Sequence, residues 1–392
     1  SLRYRPPMLI PMRPLLPCLL GVLLFCAPAS WARGGGEVDQ RSSVMSGDYQ
    51  RYAERLAPAP HPEPAYHFLA DIHASIAPLV AAYPGVITPM MLGSTVDQQP
   101  IWAFKVRDPG VAATRKLLVF AQIHALEWIT SEVALAFLLD IAQHPPPGVE
   151  VVVIPVLNVD GRAKVERDLL AGENKYRRGN ALNVDLNRDF AVNREALAVW
   201  RHVIPKRYVV SPDALSQPES QALDRLAAAE GFDVAISLHA WGGYFFHPWA
   251  GDFGRPPDNA AFERLGAVME GGQGERAYRT KQLGRWAFFF RGHGMEIDHL
   301  YGQYGTLAFL WELTRGKNPV AFKGWGVDFR TYNPPDPTRA VTRDTGALRA
   351  LAQTMSWEAT GALVVSPELA AIRRPPRRVS APSLISSGAS KQ

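Results

Sequence analysis

Read for its apolar and polar positions, the chain changes texture three times. Residues 33–63 are rich in Gly, Pro, Ala and polar side chains, with one short helical stretch near "YQRYAERLA", and read as a leader. From Tyr66 the pattern becomes regular. "FLADIHASIAPLVAAY" sets apolar residues at helical spacing until Pro84-Gly85 stops it; "VITPMML" and "PIWAFKV" then read as two strands joined by the polar turn "GSTVDQQ". Strand "KLLVFAQ", helix "WITSEVALAFLLDIA", the breaker "HPPPG" and strand "VEVVVIPVLN" follow. Further strands are expected at 233–240 and 305–313, with helices around 217–230, 258–270 and 341–360.

Near-continuous apolar strands alternating with amphipathic helices predict an α/β fold. The expected domain is a single one, residues 64–365, with a mostly parallel or mixed central sheet of about eight strands covered by helices on both faces. Residues 161–215 show little apolar periodicity, as functional loops do. The last stretch, 366–392, is Pro, Ser, Arg and Ala without a core pattern, and reads as a disordered basic tail.

Composition changes this picture little. With 47% hydrophobic and 20% charged residues the chain is an ordinary globular one. Its net charge of +5 comes from scattered arginines and the tail motif "RRPPRR". No basic stripe interleaved with aromatics is present, so nucleic acid is not an expected partner. The N-terminus is more informative. Residues 1–32 read as upstream residues and a signal peptide: "MRPLLPCLLGVLLFCAPASWA" carries an Arg, an apolar stretch and small residues before a cut after Ala32. It is too short to span a bilayer, so a secreted or periplasmic protein without stable membrane association is expected. Bulky Phe25 before Cys26 argues against a lipoprotein anchor. Cys18 and Cys26 both lie in this segment, leaving the mature chain to its core or a metal for stability.

The candidate chemistry lies at strand ends, where open α/β sheets collect ligands. In "QIHALEWIT", His124 and Glu127 follow one strand; His239 closes "DVAISLHA". Two imidazoles and one carboxylate are the donor set of a catalytic zinc that keeps a fourth position for water. Asp185, in "NVDLNRDF", is a candidate acceptor for the outer nitrogen of His124. The same stretch supplies Asn187 and Arg188, "NKYRRG" supplies Arg177 as another cation, and Glu312 ends the strand "TLAFLWEL". Singly, each also reads as an ordinary helix-start or surface residue. The ordered set does not.

With "LNVDGRAKVER" and the opening helix and strands, these segments resemble, in order, the zinc metallocarboxypeptidase family, the M14 peptidases, from residue 64 to about 362. The resemblance implies that His124, Glu127 and His239 bind one Zn2+ per chain and that Glu312 is the catalytic general base and acid. It further implies that Arg177 stabilises the oxyanion, that Asn187 and Arg188 hold the terminal carboxylate of a peptide with a free C-terminus, and that Asp185 buttresses His124. The implied reaction is hydrolysis of the C-terminal peptide bond by zinc-activated water.

Three departures stand out. Leu126 replaces an Arg that contacts substrate further from the cut. Counting back from Glu312, Phe290 stands where the family has a mobile active-site Tyr, with Tyr301 or Tyr304 as replacements from a shifted loop. The leader is too short for the family's inhibitory pro-domain. The same count puts Ile297 at the floor of the specificity pocket, and an aliphatic floor favours release of apolar or aromatic residues. The strand-like alternation of "MEIDHLY" leaves open a slip of one residue that would turn Glu296 or Asp298 inward and favour basic residues. Two other readings stand beside the peptidase: a zinc amidohydrolase of the same scaffold acting on cell-wall or other modified peptides, and a catalytically silent peptide-binding protein. A monomer is expected.

Overall fold

The computed structural model describes residues 40–194, 209–286, 291–315 and 329–360, all within one compact unit that runs from Val38. The predicted signal segment, the whole predicted tail and Phe290 lie outside the described residues. Two helices come first, α1 (Gln40–Arg55) and α2 (Leu69–Ala82), followed by β1 (Ile87–Ser94), β2 (Pro100–Val106) and β3 (Arg115–Phe120). Then come α3 (Ile129–Gln143), β4 (Val149–Ile154), α4 (Val159–Leu170) and α5 (Pro218–Glu230). The second half holds β5 (Val234–Ala240), β6 (Tyr244–His247), α6 (Asn259–Gln273), β7 (Arg279–Gln282) and α7 (Leu283–Trp286). It closes with α8 (Glu296–Tyr304), β8 (Leu307–Leu313), α9 (Phe329–Tyr332) and α10 (Thr338–Thr360).

The strands form one mixed eight-stranded sheet in the order β1-β2-β4-β3-β5-β8-β6-β7. Its middle, β4-β3-β5-β8, is parallel, and β1, β2 and β6 pair antiparallel with their inner neighbours. Parallel strands covered on both faces need apolar side chains throughout, and every residue of β4 ("VEVVVI") and β5 ("VAISLHA") is buried. Helices α3 and α10 pack on each other and on β4, while α8 packs on β5 and β8. From β3 the chain crosses to β4 on one side, and from β5 it crosses to β8 on the other. The gap between β3 and β5 is therefore the topological switch point of the sheet. Among the described residues no helix is long and apolar enough to cross a membrane.

Three local expectations are corrected, and two short strands join those expected. The leader belongs to the folded body from Gln40: Tyr49 in α1 is fully buried, edge-on to Trp102 and Phe104, with its hydroxyl 3.1 Å from His73 Nδ1. The irregular stretch from 161 contains most of α4, started by Asn158, whose side chain accepts from the Gly161 N–H. A side chain at Gly161 would collide with Asn158 and with the Gly179 carbonyl, which explains the glycine of "NVDG". Strands β6 and β7, each four residues, carry no periodic signal long enough to read. Finally, "MEIDHLY" enters a helix, not a strand, so its side chains turn by about 100° per residue and do not alternate.

Candidate active site

The chain leaves β3 through Gln122, which sits in the left-handed region at φ 58°. Its position is held from three sides. Arg162 donates to its side-chain oxygen at 3.0 Å, Thr130 Oγ1 lies 3.2 Å from its N–H, and its carbonyl accepts from Asn158. Arg162 is itself fully buried and stacks 3.4 Å over the Trp128 ring. This turn redirects the backbone so that His124 and Glu127 face the end of β5.

There the predicted ligands meet. His124 Nδ1 lies 2.9 Å from Glu127 Oε1 and 3.1 Å from His239 Nδ1, and His239 Nδ1 lies 3.4 Å from Glu127 Oε2. All three side chains are buried, and among the described residues they are the one group spaced to hold a metal ion. A tetrahedral zinc with bonds of about 2.0–2.1 Å separates its donors by about 3.3 Å, which these spacings bracket. The outer nitrogens agree with that fit. His124 Nε2 is 3.1 Å from Asp185 Oδ1 and His239 Nε2 is 3.0 Å from Glu296 Oε1, so each imidazole can donate outward and turn a lone pair inward. Burial opposes charge on both Glu127 and His239, but mutual pairing outweighs it. The two imidazoles hold Glu127 well below the usual carboxylate range, and the flanking carboxylates push His239 up to about 10.

Glu312 pairs opposite His239 across β5 and β8 and lines a groove of about 890 Å³ with Trp241, Gly242 and Tyr244. Burial among the strand ends pushes its carboxyl up to about 8. Its Oε2 makes no hydrogen bond among the described groups. Asp185, which is buried, accepts from the Asn187 N–H at 3.0 Å as well as facing His124. Asn187 and Arg188 are buried beside it, and Asn187 Oδ1 accepts from the backbone N–H of Glu296 at 3.1 Å.

Several predicted positions resolve differently. Arg177 is not brought to the cluster: it pairs with Asp168 at 2.7 Å and its side chain is 38% exposed. Its neighbour Arg178 takes the inner position, with Nε 2.8 Å from Asp185 Oδ2 and Nη1 3.6 Å from Glu127 Oε1. The sequence signal was the adjacent pair itself, and the two acidic partners decide which arginine turns in. Leu126 is buried in the core. The Tyr301 hydroxyl donates to Asp258 and that of Tyr304 to Asp224, so both are committed to carboxylates outside the cluster. Ile297 is buried. Of its neighbours, Glu296 turns to His239 and Asp298 accepts from Ala250 N, Gly251 N and Asn193 Nδ2.

Comparison with known proteins places this geometry. Human carboxypeptidase B2 is 30% identical over 251 residues, covering 60% of this chain and 57% of that protein. Carboxypeptidase O of Bos taurus is 22% identical over 198 residues, covering 47% and 52% respectively, so the chain spans a little over half the length of these curated relatives. Among solved structures, thrombin activatable fibrinolysis inhibitor superposes with a TM-score of 0.63 at 19% identity, covering 79% of this chain and 80% of that one. Carboxypeptidase A from Helicoverpa armigera gives 0.59 at 17% identity, covering 80% of each. Both structural likenesses show the fold. The family model described as zinc carboxypeptidase matches residues 72–336, well over half the chain. On that match, and on the buried His-Glu-His group it spans, the chain belongs to the zinc carboxypeptidase family of M14 peptidases.

Proposed function

We propose that this protein is a zinc-dependent metallocarboxypeptidase that removes the C-terminal residue of peptides, preferring apolar or aromatic ones, and acts outside the cytoplasm. The observation that carries the reading is the inward-facing donor set of His124, Glu127 and His239, with Glu312 beside it in a groove. When bound, zinc supplies Lewis acidity toward the scissile carbonyl and lowers the pKa of water to roughly 7.

The chain's own residues do the rest. Glu312 takes the proton of the attacking water and delivers it to the leaving amine, a duty suited to a carboxylate whose Oε2 has no hydrogen-bond partner among the described groups. Arg178, held by Asp185, donates to the oxyanion. Arg188 grips the substrate's terminal carboxylate with its planar fork. Asn187 assists: its Oδ1 is engaged by the Glu296 N–H, which leaves Nδ2 as the donor for that carboxylate. Ile297 supplies an aliphatic floor for the departing side chain, and neither neighbouring carboxylate is available to pair a cation there.

The test combines metal analysis with product analysis. Purified protein should carry about one zinc per chain and release free amino acids from a mixed peptide pool, with matched peptides ending in Phe cleaved faster than those ending in Arg. Absence of bound zinc, or release of no free amino acid, refutes the proposal. A clear preference for Arg would overturn the aliphatic floor alone.

A further inference from the structure

The outer nitrogen of His239 has two polar partners, and only one of them is charged. Nε2 lies 2.9 Å from Ser237 Oγ and 3.0 Å from Glu296 Oε1. Glu296 is fully buried as the first residue of α8, and its Oε2 makes no hydrogen bond among the described groups. His239 is the ion-pair partner found for it there. On the other side of the cluster the arrangement differs. Asp185 divides itself among His124, the Arg178 guanidinium and the Asn187 N–H. Glu296 is not divided in that way, and a buried carboxylate persists only when it is paired.

We infer that Glu296 is the positioning residue of His239 for the metal. It accepts the Nε2–H, fixes the tautomer that presents the Nδ1 lone pair to the ion, and adds the negative charge that makes the imidazole a stronger donor. The inference rests on reading His124, Glu127 and His239 as a zinc site, and it assigns to Glu296 a duty in metal affinity and none in choosing the substrate's side chain. The backbone supports that division, since the Glu296 N–H is anchored on Asn187 Oδ1 and the next acid, Asp298, is consumed by the loop at Ala250 and Gly251.

The experiment measures zinc dissociation from the full chain by competition with a chromophoric chelator. Glu296→Gln keeps the shape and an acceptor oxygen but removes the charge, so its zinc Kd should rise roughly 10- to 100-fold. Once zinc is saturating, the kcat/KM ratio between Phe-ending and Arg-ending peptides should match that of the wild type. Ser237→Ala, which removes the neutral partner, should raise Kd less. A Glu296→Gln Kd equal to wild type, a Ser237→Ala effect as large as that of Glu296→Gln, or a shifted Phe/Arg ratio overturns the assignment. If Glu296→Gln does not fold, Glu296→Asp serves instead: it withdraws the charge by one methylene and should also loosen zinc, and wild-type affinity in it refutes the inference. A wild-type chain that binds no zinc fails the proposed function itself, so the two failures are distinguishable.

Discussion

His239 and Glu312 stand opposite each other across the parallel pair of β5 and β8, so a metal-ligand candidate and the proposed proton carrier are held by one stretch of sheet. Because Glu312 lies outside the group of three donors, its loss should separate chemistry from metal binding. Glu312→Gln should lose about 10²- to 10⁴-fold in kcat while keeping wild-type zinc content, measured by steady-state kinetics beside metal analysis. Retained turnover, or lost zinc, contradicts the assigned role.

The two adjacent arginines give a contrast. Arg178→Ala should cost about 10²- to 10³-fold in kcat, as removal of an oxyanion donor does. Arg177→Ala, which breaks only a partly exposed pair with Asp168, should stay within about twofold of wild type. The reverse order would restore Arg177 to the site.

A free C-terminus should matter through Arg188. Amidating the substrate removes the anionic half of a charge-assisted pair worth about 1.5–3 kcal/mol, a loss of roughly 10- to 100-fold in kcat/KM. Arg188→Lys should be poor on the free acid, because a point ammonium cannot replace the fork. Equal rates on amide and acid would favour an amidohydrolase acting on modified peptides.

Gly242 sets how close the backbone after β5 can come to Glu312. A Cβ there would lie 3.0 Å from the Glu312 Cβ and 3.2 Å from its Cγ. Gly242→Ala should therefore push the carboxylate aside and lower kcat roughly tenfold or more, with zinc affinity unchanged. Unaltered kcat would show that Glu312 has room to spare.

Acid should weaken the fold through two buried histidines. Burial pushes both His73 and His247 down to about 4 from the ordinary 6.5. Below pH 6.5 the unfolded chain takes up protons that these folded sites refuse, so their contribution is intact above 6.5 and is lost as pH falls toward 4. Melting of the metal-free chain should show Tm dropping across that window, with a shallower drop for His73→Gln. Parallel curves for the two proteins would rule this cause out.

What the sequence revealed depended on how local each signal was. β4 was readable because all six of its positions are buried, and the His124–Glu127 turn because both residues lie on one short loop. α8 offers no helical stripe to read because burial there follows pairing and not hydrophobicity: Glu296, Asp298 and His299 are all buried, each on a partner distant in sequence. α4 hid for a related reason. Arg162 and Asp160 are buried polar residues, so the helix lacks an apolar stripe. The choice between Arg177 and Arg178 depends on Asp168 and Asp185, which no spacing rule ranks.

The place of β8 has a consequence for how the molecule is made. Among the described residues it is the last strand in chain order yet sixth across the sheet, between β5 and β6. Until it is synthesised, β5 exposes along its His239 edge a row of unpaired backbone groups, the kind of template on which other chains assemble. The pairing that closes this edge is long-range, and such contacts form late and slowly. The nascent chain thus carries His124, Glu127 and His239 before it carries Glu312, and the proposed proton carrier and the cover for this edge arrive together with the same seven residues, Leu307–Leu313.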